Sequence, residues 1–173
     1  MILGITGHRP QYFAAYADAN GEQLTVTRVA GERIKPVIVW AIQQLKPTAM
    51  ITGMALGVDQ WAAEVALSMG LPFHAAIPCH NQDAFWKHDA RKTYSELLKK
   101  AATVQYITNG PYAKGVMALR NQWIVDRSNS MLAVFDGSSG GTSHCVQYAI
   151  QQQRPVLRYN PRDGKTEWLG RMP

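Results

Sequence analysis

Apolar residues recur along the chain in two alternating rhythms. Short apolar runs at 2–6, 49–52, 73–77, 104–107, 131–135 and 156–159 predict strands. Between them lie longer stretches with apolar residues at helical spacing, at 24–45, 59–69, 116–127 and 142–152. In 24–45 the apolar positions include Val29, Ile34, Val37, Ile38, Ala41, Ile42 and Leu45, and Lys46-Pro47 stops the pattern. In 59–69 they are Trp61, Ala62, Val65, Ala66 and Met69, and Gly70 is the stop. Residues 81–102 read as a long polar-faced helix. Strand and helix alternate about five times, which predicts the α/β class, with a mostly parallel sheet of about five to six strands and helices on both faces. A single domain is expected over 1–160. The polar tail 161–173 is expected to be loose, apart from Trp168 and Leu169.

That architecture directs attention to the carboxyl ends of the strands, where open parallel sheets hold their ligands. After the first strand comes Thr6-Gly7-His8-Arg9. After the second comes Thr52-Gly53-Met54-Ala55-Leu56-Gly57-Val58-Asp59, and after the third Pro78-Cys79-His80. After the fifth comes Asp136-Gly137-Ser138-Ser139-Gly140-Gly141-Thr142. Three of these four segments combine glycine with a hydroxyl residue. Such loops let free N–H groups approach a phosphate, with a helix N-terminus behind them. One glycine after a strand is as often a plain turn residue. Three such loops at one sheet edge point to a ligand. No loop carries the Gly-Lys-Ser or Gly-Lys-Thr of a Walker A sequence, and none completes GxGxxG after the first strand.

Within these loops Arg9 could clamp a phosphate bidentately, the plain alternative being a surface arginine. His8 could act as acid or base, or only hydrogen-bond its own loop. Asp59 reads as a helix cap or as a contact to a ribose or base. Arg120 and Asn121 belong to a polar run on an otherwise apolar helix, which suggests a face turned into a cleft. The aromatic loop 10–21 follows the first strand and falls at the same edge. Phe85-Trp86-Lys87-His88 could stack on a base, with packing as the default.

Composition narrows the class. The chain has 173 residues, 46% hydrophobic and 17% charged, which is a globular balance rather than a disordered one. Its net charge of +6 suggests an anionic partner. No apolar run approaches the roughly 20 residues of a membrane span, and Met1-Ile2-Leu3-Gly4-Ile5 reads as a strand rather than a leader. Cys79 and Cys145 are too few for a disulfide framework, so a reducing cytoplasm is expected. His74, His80, His88 and His144 form no HxxxH or HExxH pattern, and no GxSxG elbow occurs. Neither a metal nor a cofactor is expected.

Taken together, Ile5-Thr6-Gly7-His8-Arg9-Pro10, Gly53-Met54-Ala55-Leu56-Gly57-Val58-Asp59, Arg120-Asn121-Gln122 and Gly140-Gly141-Thr142 resemble the YpsA-like branch of the SLOG superfamily. That superfamily also holds the DNA-processing protein A fold and the LOG-type phosphoribohydrolases. The resemblance runs from Ile2 to about Tyr159. It implies a Rossmann-like three-layer domain that binds nucleotides or nucleotide-derived ligands. Carried over by position, Thr6, Gly7 and Arg9 would line the site, and Gly53, Gly57 and Asp59 would form its second wall. Gly140, Gly141 and Thr142 would cradle a phosphate. His8, Met54, Ala55, Arg120, Asn121, Asp136 and Gly137 complete the candidate set.

One departure matters. The LOG-type motif Pro-Gly-Gly-x-Gly-Thr-x-x-Glu ends in a catalytic glutamate, and here Cys145 stands in its place. General acid–base catalysis then has no evident owner, unless Asp59 or Asp136 supplies it. The expected function is therefore binding of an ADP-ribose-like or signalling nucleotide, as a sensor or sequestering protein. The alternatives are an N-glycosidic hydrolase on nucleoside monophosphates and a single-stranded DNA binder. Acids interleave the basic residues of 81–102, which argues against a nucleic-acid strand. A homo-oligomer is implied by the superfamily, and no membrane partner is expected.

Overall fold

In a computed structural model, residues 1–13 and 26–172 are described. The strands are β1 (Ile2–Gly7), β2 (Ala49–Thr52), β3 (Phe73–Ile77), β4 (Thr103–Tyr106), β5 (Ser130–Val134), β6 (Val156–Tyr159) and β7 (Thr166–Leu169). The helices are α1 (Val26–Leu45), α2 (Val58–Ser68), α3 (His88–Lys100), α4 (Val116–Arg127) and α5 (Gly141–Gln151). A short 3-10 turn, Pro10–Phe13, follows β1. Most of the aromatic loop expected at 10–21 lies outside the described residues, as do the first two positions of the helix expected at 24–45.

The strands form one sheet in the order β4-β3-β2-β1-β5-β6-β7. Every neighbouring pair is parallel except β6 and β7. The chain winds outward from β1 to β4 through α1, α2 and α3. It then crosses back through α4 to β5 on the other side of β1. Because parallel crossovers keep one hand, that reversal puts α1–α3 on one face and α4 and α5 on the other. The core divides the same way. One cluster holds Leu3, Ile5, Ile38, Trp61, Phe73, Leu97, Leu132 and Val134. The other holds Ile51, Ala76, Ile124, Met131, Ala133, Cys145 and Val146. Alternate residues of β5 serve alternate clusters, as the two-residue repeat of a strand requires. All five are buried, which is why this strand reads as a continuous apolar run.

Two expectations are corrected. Residues 81–102 are not one helix, since α3 begins at His88. The preceding residues form turns, closed by Ala84 N–H to Asn81 O at 3.1 Å and Trp86 N–H to Asp83 O at 3.0 Å. Asn81 and Gln82 use their side chains elsewhere. Asn81 Oδ1 accepts from the Tyr112 N–H at 2.7 Å, and Gln82 Nε2 donates to Gly53 O at 3.3 Å. Such side chains compete with helical hydrogen bonds. The tail is not loose either, because β7 pairs antiparallel with β6, setting Leu157 opposite Trp168. Asn160 and Gly164, the latter at φ +70°, close the turn between them. Trp168 and Leu169 pack against the two core clusters, one on each. Among the described residues no helix is long and apolar enough to cross a membrane.

Candidate functional site

The strand order reverses at β1, so the loops leaving β1 and β5 part and open a crevice between them. A cleft of about 320 Å³ occupies it. Thr6, Gly7, His8 and Arg9 line it from the end of β1, and Ala55 and Asp59 from the β2–α2 turn. Arg120 and Asn121 line it from α4, and Gly140, Gly141 and Thr142 from the start of α5. Eleven of the sixteen candidate residues thus share one cavity. Gly53, Met54, Gly57, Asp136 and Gly137 do not line it and stand behind its walls.

Those five shape the residues in front. Gly57 has φ +94°, and a Cβ there would sit 2.7 Å from the His8 carbonyl oxygen. Only glycine allows the β2–α2 turn to approach the β1 loop this closely. Gly53 has no Cβ because the Arg120 guanidinium occupies that space. Arg120 Nη1 donates to the Gly53 carbonyl oxygen, and Nε donates to Asn121 Oδ1 at 2.9 Å. The same Nη1 lies 3.7 Å from Asp59 Oδ2, with both side chains buried. Burial raises the Asp59 pKa, and the opposing pull of Arg120, of the Ala55 N–H at 3.2 Å and of Arg9 does not cancel it. Met54 is fully buried at φ +57°. Its carbonyl accepts from Gln60 Nε2.

On the opposite wall His8 is buried, stacked on Tyr12 at 4.7 Å between ring centroids, with Phe135 edge-on. His8 Nε2 lies 3.0 Å from Asp136 Oδ1. Asp136 also accepts from the Ser138 N–H at 2.9 Å and from Arg162 Nε at 2.6 Å. Burial alone would raise its pKa. Ser138, His8 and Arg162 outweigh that and hold the carboxyl well below the usual range. Asp136 is therefore an ionised anchor beside the cleft, and its own backbone N–H also lies 3.3 Å from His8 Nε2. Gly137, at φ +93°, turns the chain beside the Arg158 guanidinium.

The cavity's remaining chemistry suits an anion. Helix α5 starts at Gly140-Gly141-Thr142 with no side chain capping its free N–H groups. Arg9 is exposed, and its guanidinium has no hydrogen bond or ion pair among the described residues. Ser138 and Ser139 add hydroxyls. Cys145, one turn into α5, is buried, and burial pushes its thiol up to about 11. It stays protonated and a poor nucleophile near neutrality. Cys79 is buried, and His80 stacks on Tyr106 at 4.5 Å, away from the cleft. Among the described residues no three His, Cys, Asp or Glu side chains gather to hold a metal ion.

Gln11, Tyr12, Ser138 and Ser139, which lie on loops expected at this edge but outside the candidate set, also line the cleft, as does Met117, which sequence reasoning missed. The two serines sit inside the glycine loop, where their hydroxyls were the signal. Met117 precedes Arg120 by one helical turn, so both share a face.

The model of the YspA SLOG family matches residues 3–161. The chain belongs to that family. A UPF0398 protein of Halalkalibacterium halodurans is 27% identical over 179 residues, covering 97% of this chain and 91% of that protein. Among solved structures, DNA processing protein A of Helicobacter pylori superposes with a TM-score of 0.64 at 17% identity, covering 96% of this chain and 68% of that one. The molybdenum cofactor binding protein of Rippkaea orientalis gives 0.56 at 21% identity, covering 92% and 76%. At such identities these two establish the shared Rossmann-like fold.

Proposed function

We propose that this YspA SLOG family protein binds a nucleotide or nucleotide-derived small molecule at the strand ends, with its phosphate against the start of α5. One observation carries the reading. An uncapped helix N-terminus and an unpaired arginine line the same 320 Å³ cleft. The volume matches a small-molecule site rather than a groove for a polymer. The Helicobacter pylori neighbour is described as binding single-stranded DNA and the Rippkaea orientalis neighbour as binding the molybdenum cofactor. A ligand role for this fold is consistent with both.

The protein acts as a sensor or sequestering protein in this reading. Cys145 replaces the hydrolase glutamate and is a buried, protonated thiol. Asp136 is held ionised by internal donors and lies outside the cleft. Asp59 is the one carboxylate on the cleft wall among the described residues, and Arg120 faces it. A thermal-shift series with AMP and ADP-ribose tests the proposal. A raised melting temperature is expected, because a ligand bound to the folded state alone stabilises it. No shift with any phosphate-bearing nucleotide overturns the reading.

A second reading rests on exposed aromatics. Phe85 is 99% exposed and Tyr112 61%, both on loops that follow strands, and Tyr12 is 59% exposed in the 3-10 turn after β1. Rings of this kind stack on unpaired bases. Fluorescence anisotropy with a labelled oligothymidine separates the two. Tight binding lost in Phe85→Ala would favour the strand, and absent binding would leave the small molecule.

A further inference from the structure

A second cavity, of about 290 Å³, lies between α4 and α5. Met117, Asn121 and Gly141 line both it and the cleft, so the two share a wall. Its chemistry differs from the cleft's. Met117, Ala118, the protonated Cys145 thiol and the Tyr148 ring supply apolar surface. The Tyr148 hydroxyl is already spent on Asp126 Oδ1 at 3.0 Å, so the ring is what that residue offers. Neither carboxylate nor arginine lines this pocket. The Gln122 amide and the His144 imidazole line it too, without a side-chain hydrogen bond among the described residues.

Apolar walls with two uncommitted polar groups are what a planar heteroaromatic ring requires. The ring buries its faces, and its edge nitrogens and oxygens find donors and acceptors. No arginine or lysine lines this pocket, whereas the adjoining cleft has Arg9 beside the free N–H groups of α5. We propose that the α4–α5 pocket is a ring subsite of the same binding site. The ligand class is then a phosphorylated compound carrying a planar heteroaromatic ring. Its phosphate lies on the cleft side of the wall formed by Asn121 and Gly141, and its ring on the pocket side.

This inference rests on the small-molecule reading, and the experiment keeps the two apart. Isothermal titration compares AMP with ribose 5-phosphate, which carries the phosphate and lacks the ring. AMP is expected to bind wild-type protein more tightly. Ala118 is exposed on α4, lines the pocket and does not line the cleft. Ala118→Trp fills the pocket from the helix surface without disturbing the core. The preference for AMP over ribose 5-phosphate should fall by about tenfold or more in that variant, the loss expected when a buried ring is expelled. Equal binding of the two compounds by wild type overturns the ring subsite and leaves the phosphate site standing. So does a preference that survives Ala118→Trp. Failure of both compounds to bind wild type overturns the phosphate site and the ring subsite together. Gln122→Ala is the milder companion. It should lower AMP affinity by several-fold with the circular dichroism spectrum unchanged, and an unaltered affinity removes Gln122 from the ring's partners.

Discussion

Replacing Gly53 by alanine tests the architecture of the cleft's inner wall. The Gly53 φ lies outside the left-handed region, so alanine suits the backbone. The new methyl meets the Arg120 guanidinium and nothing softer, because Nη1, the central carbon and Nε are its three nearest atoms. Arg120 must therefore leave the Gly53 carbonyl and its place 3.7 Å from Asp59. Breaking a buried pair from one side costs about 3–5 kcal/mol. Two effects reduce this. Asp59 has a raised pKa and can take up a proton, and alanine restricts the unfolded chain by about 0.4–1 kcal/mol relative to glycine. About 3 kcal/mol remains, a large share of the roughly 5–15 kcal/mol of a typical domain. For a chain of this size that lowers the melting temperature by about 6–12 °C. Urea unfolding followed by tryptophan fluorescence reads it, with the core residue Trp61 as a reporter. In an Arg120→Met background, where a flexible thioether replaces the guanidinium, the same glycine change should cost less than about 1 kcal/mol. A native-background cost below about 1 kcal/mol, or an equal cost in both backgrounds, would refute the argument.

Three other outcomes follow from the same geometry. Arg9→Ala should weaken AMP binding by about 10- to 100-fold, the value of roughly 1.5–3 kcal/mol for a charge-assisted contact, with the ligand-free melting temperature unchanged. Unaltered titration curves would remove Arg9 from the site. The Asp136 pKa is depressed on folding, so its contribution to stability is present above the unfolded carboxylate value near about 3.9 and is lost as pH falls below it. Asp136→Asn should therefore flatten the fall in urea midpoint between about pH 5 and pH 3, and an unchanged profile counts against the His8–Asp136–Arg162 anchor. Cys79 is buried and lines neither cavity, so a thiol reagent at mildly alkaline pH should not label it until the protein unfolds. Rapid labelling of Cys79 in the folded protein would refute its burial just after β3.

The sheet's interior was legible because its strands are buried on both faces. Runs such as Met131-Leu132-Ala133-Val134 then admit no polar residue, and a short unbroken apolar run has few other readings. The cleft was legible for a topological reason. In an open parallel sheet the ends of the strands are the ligand edge, so naming the strands named the loops. What stayed hidden depends on side chains meeting across the fold. Arg120 read as a ligand arginine, yet two of its donors serve Gly53 and Asn121, 67 residues and one residue away in sequence. Asp136 read as a ligand or an acid, and its partner Arg162 comes from a tail with no apolar periodicity. Strand β7 had a local signal in Asn160-Pro161-Arg162-Asp163-Gly164, a turn sequence followed by a Trp168-Leu169 pair, but four residues are too few for alternation to decide.

The net charge of +6 now has a more exact meaning. At the sheet edge Arg158 is bound to Glu167 and the Phe135 carbonyl, and Arg162 to Asp136. Those cations are consumed by the protein itself. The cleft is lined by Arg9 and Arg120, and Arg120 is held by Asp59 and the Gly53 carbonyl, which leaves Arg9 as the charge in excess among the described residues. One excess charge and one helix N-terminus suit one compact anion. A polynucleotide needs a row of cations at phosphate spacing, and each must be free to replace a counterion. Here the described cations nearest the cleft are, except for Arg9, already held by internal partners. Electrostatics therefore favours a single phosphate group as the anchor, and under the proposed ring subsite the choice among ligands that carry one falls to the apolar pocket behind Asn121 and Gly141.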